Sequence, residues 1–266
     1  MSQGPPPEHV RRAFGLGSFD VAEAEPIADG SGWRCGDVVL EPVRDRVQAV
    51  WLSRTLSALN IPDLRIARPI GASDGRWVVA GWRARRYVSG SVEHRPDETV
   101  LTAVKLHQAT AHFPRPAFLD ERRDASAVAE RLAWGEEHHD LDEAKGGRLF
   151  EILAPSRRPV AGPDQLVHAE LFGTLLFDGD EPPGLVGFVP RFRPAEWGAA
   201  VAAVDAVAWG GADGSLLRRW AHLPDWSQLL LRATLFRLAW HALHPESSAA
   251  SLDGLRRAAS EVTELL

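Results

Sequence analysis

His168 and Glu170 place an imidazole and a carboxylate two positions apart in the run QLVHAELFGTLLFDGDEPPGLVGF, residues 165–188. That pairing can move a proton, the work of a general acid or base. Four positions further on, Thr174 adds a polar side chain. The apolar runs 175–177 and 184–188 flank a turn-rich tract, 178–183, and each is too short for a helix. Together they predict a β-hairpin. A third apolar run, 165–167, comes just before His168, so the chemistry is expected on a loop between strands. Asp178, Asp180 and Glu181 sit in the hairpin turn, where solvated surface carboxylates are the default reading and metal ligation the alternative.

A loop of this kind needs a scaffold, and the rest of the chain supplies one in order. Residues 6–14 read as a short lead helix opened by proline. Strands follow at 24–27, 33–35 and 38–40, separated by the glycine-bearing loop 28–32 and a turn at Gly36 and Asp37. Pro26 confines the first of these to an edge. Residues 44–59 carry Val47, Val50, Trp51, Leu52, Leu56 and Leu59 at helical spacing. Two more strands are expected at 64–71 and 77–88, around a turn at 73–75. Beyond Gly90 helices take over, at 97–113, 125–134, 141–153, 194–209, 226–243 and 248–266; the helix 226–243 is apolar enough to be largely buried. The expectation is an α+β, bilobal arrangement. Residues 1–88 form a small five-stranded antiparallel lobe with one inserted helix. Residues 89–266 form a larger, mostly helical lobe that carries the loop 168–174 and the hairpin 175–188.

Composition narrows the function classes. The chain has 266 residues, 45% of them hydrophobic and 25% charged, ordinary values for a globular protein with a real core. A net charge of −6 favours neither nucleic acid nor an anionic membrane surface. A single cysteine, Cys35, allows no disulfide framework within the chain and fits a reducing compartment. No apolar run approaches the roughly 20 residues a spanning helix needs, and the proline-rich start does not read as a signal peptide. A cytoplasmic protein is expected.

The frame HAELFGTLLF, residues 168–177, followed by LVGFVPRFRPAEW, residues 185–197, resembles the aminoglycoside-phosphotransferase group of kinase-like proteins. It looks nearest to a set of actinobacterial proteins related to the aminoglycoside and homoserine kinase-like phosphotransferases. Their loop typically reads HGDLTGNVLF and their hairpin ends in VIDF. His168, Leu171, Gly173, Leu176 and Phe177 fall in step with that pattern. The resemblance implies a kinase-like fold over nearly the whole chain and puts Glu170 in the catalytic-base slot. It puts Thr174 and Gly187 in the two metal-ligand slots. The lysine that would hold the α- and β-phosphates falls on Glu41, and its helix partner on Gln48 or Val50. Gly30 and Gly32 lie where a phosphate-cradling loop is expected, although two glycines between strands more often make only a turn. Asp205 falls where an acid braces the catalytic loop by accepting backbone hydrogen bonds, and His168 reads as a packed histidine rather than a base.

Each replacement has a physical weight. A carboxylate at Glu41 repels triphosphate in a partly desolvated site. Glu170 keeps the acid but adds a methylene, and a misplacement of about 1 Å costs on the order of 10²-fold in rate. Gly187 offers nothing to a metal, which argues against Mg²⁺ and leaves ATP as the one cofactor still open. The expected function is therefore a pseudokinase that binds a small ligand or protein partner. The alternative is a divergent ATP-dependent phosphotransferase acting on a small hydroxylated molecule, with Glu170 as base and Asp178 or Asp180 as relocated metal ligand. Other clusters weigh less. Glu136–Glu143, EEHHDLDE, reads as a solvated helix end, and His241 with His244 lacks a partnering acid at useful spacing. Cys35 reads as a small buried hydrophobe, and the arginines at 83–86, 122–123 and 157–158 read as surface solvation.

Overall fold

Two five-residue segments with alternating side chains, Val38–Pro42 and Trp82–Arg86, make the centre of the first half of the molecule. The computed structural model describes residues 4–27 and 30–266, so Ala28 and Asp29 of the glycine-bearing loop lie outside the described residues. The chain forms two units, Met1–Ser91 with Leu176–Phe188, and Val92–Leu175 with Val189–Leu266. In chain order the elements begin α1 (Glu8–Ala13), β1 (Glu25–Pro26), β2 (Trp33–Cys35), β3 (Val38–Pro42), α2 (Arg46–Ala58), β4 (Arg65–Ile66), β5 (Pro69–Ile70) and β6 (Trp82–Arg86). They continue with β7 (Ser91–Val92), α3 (Pro96–Thr110), α4 (Ala125–Trp134), α5 (Gly147–Leu153), β8 (Asp164–His168), β9 (Leu175–Phe177), β10 (Gly184–Leu185) and β11 (Pro190–Pro194). Four helices close the chain: α6 (Ala195–Trp209), α7 (Ser215–Arg219), α8 (Trp226–Leu243) and α9 (Ala249–Thr263).

In the first unit an antiparallel sheet runs β1-β2-β3-β6-β5, as expected. Period-two alternation sends Val38, Leu40, Trp82 and Ala84 to one face, where they bury Cys35 together with Val10 of α1 and Phe14 just after it. The register pairs Val39 with Arg85 and Glu41 with Arg83, so these four share the opposite face. The inserted helix α2 starts at Asp45, whose carboxylate accepts the Gln48 N–H at 3.0 Å.

The expected strand 64–71 divides. Its first part, β4, pairs in parallel with β10, whereas β5 pairs antiparallel with β6. The expected strand 77–88 is cut by a two-residue turn, with Ala80 at φ 48° and Gly81 at φ 79°, so only Trp82–Arg86 is regular. Residues 176–188, placed above with the helical lobe, associate with the first unit because β10 hydrogen-bonds to β4.

The second unit is organised by α6 and α8, which are buried on nearly every face. α6 packs on α3, α8, α9 and β8, and α8 also on α4 and α5. The helix expected over 141–153 breaks at Gly146, which takes φ 111°, and resumes as α5. Strand β11 escaped the sequence reading because proline stands at both its ends. It pairs antiparallel with β8, setting Arg191 opposite Val167 and Pro190 opposite His168. His168 therefore ends a strand rather than lying on the loop. The last helix, α9, opens with a reciprocal capping box between Ser248 and Ser251.

Candidate functional site

The loop 169–174, entered from His168 at the end of β8, lies within the second unit and is held from both sides. The His168 N–H donates to Nε2 of His107 on α3 at 2.9 Å, and the His107 Nδ1–H donates to the Ala195 carbonyl at 2.7 Å. Both ring nitrogens of His107 are thereby assigned in its neutral form, and burial pulls its pKa down to about 4 against the pull of the Ala195 carbonyl. The backbone of α6 approaches this pair closely. A Cβ on Gly198 would stand 2.3 Å from His107 Cε1 and 2.6 Å from the His168 carbonyl oxygen, so only glycine fits.

His168 is itself buried, and its Nδ1 accepts the Glu170 N–H at 3.2 Å. With Nδ1 occupied as an acceptor of a loop N–H, the ring acts as a brace for the loop. Thr174 closes the loop, its hydroxyl donating to the carbonyls of Glu170 at 2.5 Å and Leu171 at 3.1 Å. The structure thus brings His168, Glu170 and Thr174 together through main-chain bonds. The Glu170 side chain stays 25% exposed, with Arg191 Nη2 at 3.7 Å from its Oε1.

Asp205 braces the same loop by a different route from the one expected. Its two carboxylate oxygens accept from Arg237 Nε at 2.7 Å and Nη2 at 2.5 Å, and Arg237 Nη2 donates in turn to the Ala169 carbonyl at 3.4 Å. An interposed guanidinium replaces the direct backbone bonds, because Arg237 fills the space between α6 and the loop. Burial lifts the Asp205 carboxyl to about 6 despite the opposing pull of Arg237. Arg237 rests against the rings of Trp209, Phe236 and Trp240.

The remaining slots lie in the first unit. Glu41 is 5% exposed. Its Oε2 accepts from Arg83 Nε at 2.8 Å and its Oε1 from Arg85 Nε at 2.6 Å. Of the arginines that read as surface solvation, the register across β3 and β6 buries Arg85 and leaves Arg83 partly exposed, while Arg86 stays at the surface. Gly32 sits against this strand; a Cβ there would stand 2.5 Å from the Leu40 carbonyl oxygen and 3.0 Å from Glu41 Cγ. The Gly30 N–H is spent on the Ile27 carbonyl at 2.8 Å, so the glycines make a tight turn. A cavity of about 20 Å³ beside the cluster is lined by Arg83, Arg85, Gly187 and, from α2, Leu52, Ser53 and Leu56. Gln48 and Val50, the expected helix positions, do not line it. Nothing stands within 4 Å of a Cβ built on Gly187.

The secondary clusters resolve into structural work. Asp178 accepts from the Ser89 hydroxyl, which also accepts from Arg65 Nη1 at 3.1 Å. Glu136 forms a two-pronged pair with Arg193, and Glu137 binds Arg131 and His139. His241 is buried with Nδ1 on the Lys145 carbonyl and Nε2 on Ser248 and Ser251 oxygens. Burial pushes the Cys35 thiol up, opposed by Arg11. Among the described residues no group of three or more His, Cys, Asp or Glu is arranged to hold a metal, and no helix is long and apolar enough to cross a membrane. Sequence reasoning missed Arg191, Arg237, His107 and Gly198 as partners of the loop. His107 carried a signal, since it interrupts an otherwise apolar helix face.

No family model and no curated protein matches the chain. Solved structures do. An aminoglycoside phosphotransferase from Alicyclobacillus acidocaldarius superposes with a TM-score of 0.59 at 16% identity, covering 99% of this chain and 95% of that one. An AMP-bound spectinomycin phosphotransferase gives 0.61 at 11% identity over 96% of both chains. A choline/ethanolamine kinase family protein from Mesorhizobium loti gives 0.55 at 15% identity, covering 96% of this chain and 94% of that one.

Proposed function

The chain has the fold of the aminoglycoside-phosphotransferase and protein-kinase-like superfamily, and we propose that it works by binding a small ligand or protein partner, not by transferring phosphate. The observation that carries this reading is Glu41. In the strand position where the resemblance expects a phosphate-holding lysine, a buried carboxylate is locked between Arg83 and Arg85. Charge that develops on a transferred phosphoryl group needs a positioned cation or metal, and Gly187 supplies no ligand for one. Among the fold neighbours, spectinomycin phosphotransferase is described with AMP and with ADP, which supports nucleotide as the first ligand to try.

A thermal-shift titration with ATP, with and without Mg²⁺, tests the proposal, because a ligand that binds only the native state raises Tm. The expected result is a shift that is indifferent to Mg²⁺, or none, together with no ATP consumption. The partly exposed carboxylate of Glu170 favours one second reading, a divergent phosphotransferase using it as base. Magnesium-dependent ATP consumption that disappears in Glu170→Ala, with the fold intact, would establish that reading and overturn the first.

A further inference from the structure

Within the second unit a cavity of about 400 Å³ opens between α4, β11 and the segment that precedes α4. That volume is in the range of small-molecule sites. Its lining is unusual for a protein of net charge −6. Arg115, Arg122, Arg123, Arg131, Arg191 and Arg193 face four carboxylates in the lining, and Asp124 and Glu170 pair with Arg122 and Arg191 from outside it.

Three of these guanidinium groups are not fully satisfied by carboxylates. Arg191 is 1% exposed, and its Nη1 is buried with no hydrogen-bond partner among the described residues. Its other contacts are Ser126 Oγ at 2.5 Å, Glu130 at 3.1 Å and Glu170 at 3.7 Å. Arg122 forms a two-pronged pair with Asp124 at 2.8 and 2.9 Å and keeps a buried Nη1 in the same condition. Arg123 is exposed and donates only to the main-chain carbonyls of Asp120 and Arg122. A buried guanidinium with an unmatched N–H costs free energy that an oxygen acceptor would recover. Planar forks of N–H donors match carboxylate and phosphate oxygens better than any neutral ligand.

We propose that this cavity binds a small organic oxyanion, a phosphate monoester or a carboxylate. Because Arg191 lines the cavity and also faces Glu170, an anion there competes with Glu170 for the same guanidinium. Occupancy would then be felt at the loop 168–174.

The experiment is isothermal titration calorimetry of the full chain with inorganic phosphate and, separately, with citrate, at constant ionic strength and without nucleotide. Omitting nucleotide makes the result independent of the function proposed above. Saturable binding of either anion is expected, with phosphate alone assigning the ester and citrate alone the carboxylate. The Arg115→Gln/Arg123→Gln double variant removes two exposed cavity cations and should weaken binding about tenfold or more. Arg218→Gln removes an exposed charge outside the cavity and should leave affinity unchanged. Circular dichroism confirms that both variants are folded. Absence of saturable heat from both anions up to about 10 mM would overturn the proposal, as would equal weakening in the cavity and control variants.

Discussion

Glu41 in the first unit and Asp205 in the second are both carboxylates buried against arginine, yet they balance charge differently. Asp205 meets one guanidinium, each side chain is 3% exposed, and the pair is neutral. Glu41 meets two, one of them with its Arg83 side chain 28% exposed, and the cluster carries one net positive charge. The first arrangement holds a loop backbone in place. The second supplies the net charge of a single lysine in a form tied into the sheet, unable to extend toward a ligand as a lysine would.

The sharpest way to break this comparison is to unpair each carboxylate. Arg237→Met leaves Asp205 buried without a counter-ion and should cost about 3–5 kcal/mol by denaturant unfolding. The Asp205→Leu/Arg237→Met double variant should recover most of that loss. A double variant no more stable than the single would mean that the loop depends on Arg237 for more than charge pairing. In the first unit, Glu41→Lys sets an ammonium between two guanidinium groups and should cost about 3 kcal/mol, against about 1–2 for Glu41→Gln. Restoring a lysine here therefore destabilises the sheet unless Arg83 and Arg85 are changed too. Glu41→Lys with Gly187→Asp is expected to give no ATP turnover in a coupled assay.

How much of this could be read in the sequence follows from whether a feature is local. The frame 168–177, the helix α2 and the five-stranded sheet were legible because apolar periodicity and turn residues mark them within a few positions. β11 was not, since Pro190 and Pro194 mask a strand whose reason for existing is its partner β8. The pairing of Glu41 with Arg83 and Arg85 was hidden for the same cause. It spans more than forty residues of chain and depends on register, which no local pattern states. Composition made these arginines look like surface; pairing with Glu41 makes Arg85 core.

The two buried groups of the second unit also titrate in opposite senses, which sharpens the contrast with the first. His107 falls from the ordinary 6.5 to about 4 on folding. Between those values the unfolded chain takes up a proton that the native chain refuses, so its contribution to stability is complete above 6.5 and is lost toward 4, about 3 kcal/mol in all. Asp205 runs the other way, since its carboxyl rises from 3.8 to about 6 and its protonation favours the native state as pH drops. The two offset each other, and the wild-type profile should be shallow. His107→Gln, which keeps a side-chain amide near both partners, should remove only the histidine's part. Its stability relative to wild type should improve by about 2.5 kcal/mol between pH 7 and pH 4.5. An unchanged difference across that range would place the titrating group elsewhere.

The smallest effect belongs to a pair of glycines, one in each unit. At Gly198 an added methyl meets the His107 ring, held by hydrogen bonds at both nitrogens, at 2.3 Å and the His168 carbonyl at 2.6 Å. Gly198→Ala should cost about 1–3 kcal/mol, the usual range for forcing atoms into a packed site. At Gly187 the same methyl meets nothing within 4 Å, and its backbone is not among the left-handed glycines. Gly187→Asp should therefore change stability by less than about 0.5 kcal/mol. The missing carboxylate at that position is then no consequence of packing: the fold would accept an aspartate there, and the sequence does not supply one. A large loss of stability in Gly187→Asp would reverse that conclusion and make the glycine structural.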